Sequence, residues 1–329
     1  MNCVRQEAPG VLHWGCLHWH PDYFKDISEF EQLIKKDLAD SEITHSEFES
    51  SKLILNFLEE GHNASALAPV AKYFEISHPG RHLILNSMDF AGCMANHGNF
   101  LTNLAGRHTD KVNSKFLCLI RRASASRAKF ASQLRQQVPK TSLTMTFGTL
   151  SYLEQLREYQ PMFDDALPIT LDGVIDQRQI HKIYNVEDSW FESSFNVICE
   201  TSSQSDPGIW TDLFITEKTF KCFAMHQIPI WFAVPGLVNK VRTLGLDLFD
   251  DIVDHSYDQI QDEDQRRQAV IDQIARLDQQ LDLTQCQNLR KRLWPRLCDN
   301  YLRLQSIVQQ HQAQLKLAIT QFINQGSNV

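Results

Sequence analysis

Several short stretches of the chain carry residue types suited to gripping an anion. Glu217 and Lys218 open an apolar-periodic segment that runs to His226, with Thr216 placed to cap it and Thr219 one step further in. A helix start presents backbone N–H groups and the positive end of the helix dipole, so it draws phosphate. Lys218 adds a full charge there, and Glu217 offers two acceptor oxygens suited to a ribose diol. Glu200, Thr201 and Ser202 follow the apolar run FNVIC, at the carboxyl end of a strand, where ligands of open α/β sheets bind. Arg121, Arg122 and Arg127 follow a second strand, KFLCLI, and enter a helix, where a planar guanidinium can clamp a diphosphate. Each group has a plainer role open to it: Glu217 complementing a dipole, Lys218 in solvent, the arginines as surface charges.

Transfer to a hydroxyl would need a general base. The candidates, in falling order, are Asp89, His97 and Glu47; Asp89 follows the strand HLILNS but also reads as a helix cap in SMDFAG. Two sets resemble metal ligands. His13, Cys16, His18 and His20 sit close together, but strand alternation sends His18 and His20 to one face and His13 to the other, and no second half of a zinc site follows. Buried or gating histidines are the simpler reading. Asp262, Glu263 and Asp264 spell D-x-D at the start of a polar helix, which reads as a solvated cap. No metal and no resident cofactor are therefore expected. Phe147, Tyr152, Tyr184 and Trp190 could line a slot for a purine base, or be core.

The elements that must position these residues alternate. VLHWGCLHW (11–19) reads as a strand, 26–41 as an amphipathic helix, ALAPVAKYF as a short helix interrupted by Pro69, and RHLILNS as a strand. GRHTDKVNS (106–114) reads as a linker. Beyond it come KFLCLI, a helix over 127–137, LTMTFG, FNVICE, a helix from Glu217, IPIWFAV, and a helix over 236–245 ended by Gly245. Such alternation indicates a parallel sheet with helices on both faces. The tail is helical, with acids at the start of DEDQRRQAVIDQIARLDQQL and one apolar face from Leu304 to Phe322. The division expected is 1–110, 111–258 and 259–329, the last as helices packing across the domains.

The 329 residues are 43% apolar and 22% charged, the balance of a globular protein of about two domains rather than a disordered or fibrous one. A net charge of −8 disfavours a protein that coats nucleic acid. The eight cysteines are scattered without a CxxC pair and read as reduced structural thiols. No apolar run is long enough to span a membrane, and the opening MNCVRQEAPGVLHW lacks a basic region followed by an apolar one, so a cytoplasmic protein is expected.

KFLCLIRRASASRAKFASQL, SFNVICETSSQ and FITEKTFKCFAMHQIPIWFAVP together resemble the nucleotide-binding half of the α-1,3-fucosyltransferase-like glycosyltransferases of GT-B architecture, over roughly 115–236. They are also similar to bacterial and viral glycosyltransferase-like proteins that share an ITEKTF…PG…LG…F…SYD layout. The resemblance implies two Rossmann-like domains with a helical C-terminal tail, residues 1–110 being the acceptor side. It implies an inverting, metal-independent transfer from a nucleotide-diphosphate sugar, GDP-fucose first among the donors, to a glycan or other hydroxyl. Carried over by position, Arg127 and Lys218 hold the diphosphate, Glu217 the ribose, and Glu200 lies near the sugar. Thr201 stands where that family usually has Asn. Two other readings were weighed: glycosylation of DNA bases, with Arg290, Lys291, Arg292 and Arg296 tracking phosphates, and a non-catalytic nucleotide-sugar-binding or assembly protein.

Overall fold

A computed structural model describes residues 3–16, 32, 36, 38–41, 43–57, 68–77, 79–86, 111–121, 123–148, 153–169, 191–200 and 215–324. The chain forms two compact units, Met1–His97 with Ser306–Val329, and Gly98–Gln305.

The first unit is built on a sheet of order β1-β2-β3-β4. β1 (Cys3–Ala8) and β2 (Val11–Cys16) form an antiparallel hairpin. It turns at Pro9–Gly10, where Gly10 takes a φ of 71° that a side chain would resist. α1 (His45–Ser50) leads into β3 (Lys52–Phe57), and α2 (Ala68–Ser77) into β4 (His82–Asn86); β2, β3 and β4 run parallel. Pro69 does not interrupt α2. It is the helix's second residue, where the backbone N–H it lacks would have had no helical acceptor. Val11 and Ile54 bury one face against Phe322 of the final helix, with Leu315 and Ile319 packed alongside. Lys52 Nζ donates to the carbonyls of Phe322 and Ile323, each at 3.2 Å, and so caps that helix's end.

The second unit is all parallel in its sheet, of order β6-β5-β7-β8. Its elements are β5 (Ser114–Ile120), α3 (Ala125–Gln137), β6 (Leu143–Phe147), α4 (Leu153–Tyr159), β7 (Ser193–Cys199), α5 (Glu217–Ala224), β8 (Ile228–Phe232), α6 (Leu237–Thr243), α7 (Glu263–Gln280) and the part of α8 (Leu283–Asn324) up to Gln305, the rest of that helix belonging to the first unit. The molecule is thus α/β with largely parallel sheets and a C-terminal helical tail. Every residue of β7 and β8 is buried, as strands covered on both faces must be.

Chain direction reverses within this sheet. From β5 the chain steps outward to β6, then returns to the other side of β5 for β7 and continues to β8. Right-handed crossovers in opposite directions put α3 and α5 on opposite faces. Side chains agree: Phe130 of α3 stacks on Phe232 at 4.6 Å, while the Trp231 indole, one residue back along β8, donates to Thr219 of α5 at 2.9 Å. Burying each such aromatic or aliphatic side chain contributes about 1.5–3 kcal/mol. At the amino end of the sheet, hydroxyls of Thr144, Ser114 and Ser193 bond across three strands, at 2.7 and 2.6 Å, and hold the register.

β8 lies at the edge of the sheet, and side chains serve its outer side in place of another strand. His255 Nε2 faces the Pro229 carbonyl at 3.4 Å. The Tyr257 hydroxyl accepts from the Trp231 backbone N–H at 3.0 Å, and Arg266 Nε donates to the Ala233 carbonyl at 2.8 Å. An edge covered in this way offers no ladder to another chain. Cys118, Cys199, Cys222 and Cys286 are buried free thiols, and Cys298 is half-buried and free.

Candidate functional site

The reversal of strand order between β5 and β7 opens a crevice at their carboxyl ends, the place where open α/β sheets bind ligands. Both flanking strands lead there into residues singled out by the sequence. β5 ends at Ile120 and its chain enters α3, which Ser124 caps by accepting from the Arg127 N–H. Arg127 is buried in that first turn, and its Nε donates to the Glu200 carbonyl at 3.2 Å. β7 ends at Cys199, and Glu200 follows. β7 then connects to α5, whose first turn carries Lys218.

Glu200 is the centre of a fixed network. The Thr216 hydroxyl accepts from the Lys218 backbone N–H at 3.2 Å, capping α5, so its own hydrogen points to Glu200 Oε2 at 2.6 Å. The Thr219 hydroxyl accepts from the Trp231 indole and gives its hydrogen to Glu200 Oε1 at 2.9 Å. The Thr216 N–H adds a third donor, to Oε1 at 3.2 Å. A carboxyl group met only by donors is held as the ionised acceptor. Its side chain is fully buried, and both oxygens are taken by donors of the protein, so in this geometry Glu200 positions Thr216, α5 and Lys218.

Two cations answer that buried carboxylate. Lys218 Nζ stands 3.6 Å from Glu200 Oε2 and donates to Thr216 Oγ1 at 3.1 Å, with 23% of its side chain still exposed. Arg127 approaches from the other flanking strand. Burial pushes the Cys199 thiol up to about 11, against the opposing pull of Arg127 and Lys218, whose charges reach this end of β7. Arg127, Lys218 and the N-terminus of α5 thus gather around one buried carboxylate at the carboxyl end of β7.

The structure brings together Arg127, Glu200, Thr216, Lys218 and Thr219. Arg121 lies exposed just beyond β5. Glu217 is the first residue of α5, its side chain outside the description. Arg122, Thr201, Ser202, Asp89, His97, Tyr152, Tyr184, Trp190, His18 and His20 lie outside the described residues, and His13 and Cys16 belong to β2.

Other expectations change. Glu47 has a structural role: Thr44 N and Oγ1 both donate to its carboxylate, at 2.8 and 2.6 Å, in a capping box that holds its pKa below the ordinary value. Phe147 is fully buried core. Asp262 caps α7 through Gln265 N at 2.9 Å, Asp264 pairs with Arg267 at 2.6 Å, and Glu263 is not solvated but buried, accepting from Ser126. Among the described residues, no group of three His, Cys, Asp or Glu is placed to hold a metal ion. Two of the four basic residues of the α8 run are committed within the protein, while Lys291 and Arg292 are exposed. Arg290 is buried and donates to the Phe191 carbonyl, and Arg296 forks onto Asp247 and Asp251.

Sequence reasoning missed the polar supports. Asp258 accepts from Val238 N and Asn239 N, at 3.1 and 3.2 Å, so a resident carboxylate fills the start of α6. Tyr257 beside it covers β8, which gives the SYD motif a structural role. Trp231 sits in an apolar run that hides its polar use; the TxxT spacing of Thr216 and Thr219 was the available signal.

The chain matches no protein-family model, no curated protein and no solved structure among those compared. Among the described residues, no helix is long and apolar enough to cross a membrane.

Proposed function

We propose that the chain is a glycosyltransferase of GT-B type that takes a sugar from a nucleotide-diphosphate donor, with Arg127 and Lys218 at the diphosphate. One observation carries the reading: two cations from separate βα connections, and the N-terminus of α5, converge where the strand order reverses. In direct displacement at the anomeric carbon, negative charge builds on the departing diphosphate. Fixed cations in a partly desolvated crevice stabilise that charge without reorganising. Unit 1 would carry the acceptor, a glycan or another hydroxyl compound.

The resemblance of KFLCLIRRASASRAKFASQL and FITEKTF to the fucosyltransferase-like group points to a GDP-sugar, GDP-fucose first. Calorimetry with GDP, UDP and CMP tests this directly. GDP should bind at least about tenfold more tightly than the others, roughly 1.4 kcal/mol. A preference for UDP would keep the transferase reading and sink the donor assignment. Binding of GDP-fucose without transfer or slow hydrolysis would mark a non-catalytic binding protein.

A further inference from the structure

His255 occupies an unusual position on the covered edge of β8. Its side chain is 3% exposed, and both ring nitrogens face acceptors: Nδ1 meets Asp250 Oδ1 at 2.9 Å, and Nε2 meets the Pro229 carbonyl at 3.4 Å. A neutral imidazole carries one N–H and can serve one of these; an imidazolium serves both. The charged and polar groups around the ring are few. Asp250 also accepts from Arg242 Nη2 of α6 at 2.9 Å, Asp254 lies one residue back with its carboxylate on Ser256 N, and β8 contributes the Pro229 carbonyl. The ring packs on Trp231 and Tyr257, with centroids 5.6 and 5.7 Å apart.

Trp231 connects this edge to the crevice. Its backbone N–H goes to Tyr257 and its indole N–H goes to Thr219, which donates to Glu200. Four residues in direct contact therefore link a titratable ring to the carboxylate that holds Lys218.

We propose that His255 is a proton-operated latch on β8, transmitted through Trp231 and Thr219 to the Glu200 network, so that anion binding at Arg127 and Lys218 tightens when the imidazole is charged. The proposal rests on the reading of that network as an anion site. Charging adds the Nε2–H bond to the Pro229 carbonyl, completes the edge pairing of β8 and seats Trp231 against Thr219. Burial lowers the His255 pKa below its ordinary value, against the hydrogen bond that Nδ1–H donates to Asp250, so the latch closes in mildly acidic solution.

The test uses the full chain labelled with nitrogen-15, with the Trp231 indole N–H assigned by Trp231→Phe. The probe is sulfate, which stays a dianion from about pH 8 to about pH 5 while histidine titrates. The Trp231 resonance should follow a transition that His255→Gln abolishes and Asp250→Asn moves to lower pH. Sulfate should bind at least about fivefold more tightly at the acid end, by an increment lost in His255→Gln. A Trp231 resonance flat through this range would overturn the latch. Equal pH dependence of sulfate binding in wild type and His255→Gln would overturn the coupling. Should His255→Gln fail to fold, an Asp250→Asn transition unmoved from the wild-type pH would overturn it instead. A Trp231 transition with no sulfate binding at any pH would overturn the anion-site reading, and the coupling with it.

Discussion

Lys218 Nζ stands 3.6 Å from Glu200 Oε2, so the more exposed cation of the proposed site has a buried counter-charge within the protein. The two cations are unequal: Lys218 keeps 23% of its side chain exposed, whereas Arg127 is buried with its Nε bonded to the Glu200 carbonyl at 3.2 Å.

Lys218→Ala and Arg127→Ala should each weaken donor binding and transfer by at least about tenfold, since a charge-assisted contact contributes about 1.5–3 kcal/mol. Both should also lose stability in urea, by about 1–3 kcal/mol. Lys218→Ala leaves the buried Glu200 carboxylate without the counter-charge at 3.6 Å, and Arg127→Ala removes a buried donor. Normal turnover by both folded variants would show that the donor binds elsewhere.

Glu200→Gln should be a stability variant. Thr216 and Thr219 both direct hydrogens at the carboxylate, and an amide NH₂ there meets a donor with no acceptor in place. Removing the charge also leaves Lys218 and Arg127 to repel each other. A loss of about 3 kcal/mol is expected, within the range for breaking a buried pair. Thr219→Val should lose less, because the N-cap hydroxyl of Thr216 remains. A Glu200→Gln protein with unchanged urea midpoint and abolished transfer would restore Glu200 as a catalytic residue.

How much of this was legible in the sequence depends on what kind of signal each residue carries. The strands KFLCLI and IPIWF announce themselves because strands buried on both faces must be nearly continuous in apolar residues, and LTMTF does so by alternation. Thr216, Lys218 and Arg127 were found because a helix start after a strand has a readable grammar of caps and charges. β1 and β3 were missed: CVRQEA carries three consecutive polar residues, Arg5 to Glu7, with no alternation, and KLILNF follows α1 with only Ser51 between. The network around Glu200 was hidden for a different reason. The residue's position at a strand end was evident, but saturation of both oxygens depends on hydroxyls sixteen and nineteen residues away, which only the fold brings to it.

Transfer should survive EDTA. The acids of the D-x-D sequence are engaged by the protein, Asp262 with the backbone of α7, Glu263 with Ser126 and Asp264 with Arg267, so the charge on a departing diphosphate falls to Arg127 and Lys218. The assay is transfer after chelation and desalting. Complete loss, restored by Mn²⁺ or Mg²⁺, would direct attention to an acidic group elsewhere.

Stability should fall in two steps on acidification. Burial holds the folded His255 pKa below its ordinary value, although Asp250 and the Pro229 carbonyl oppose the shift. Between that lowered value and about 6.5 the unfolded chain binds a proton that the folded chain does not, so stability rises with pH across this window and is lost as pH falls through it. The second step belongs to carboxylates held low in the fold. Lys140 and Arg135 hold Asp165 down, and Arg296 holds Asp251 down. Burial raises the Asp250 pKa, but His255 and Arg242 outweigh it, leaving the group low as well. Such groups contribute stability above about pH 4 and lose it as pH drops through their folded values. Urea unfolding at intervals from about pH 8 to about pH 3 reads both limbs. His255→Gln should flatten the upper limb and, by removing a partner that holds Asp250 low, also trim the lower one. Asp165→Asn should reduce the lower limb and leave the upper one unchanged. A wild-type stability that rises as pH falls from about 7 to about 5 would contradict the sign worked out for His255.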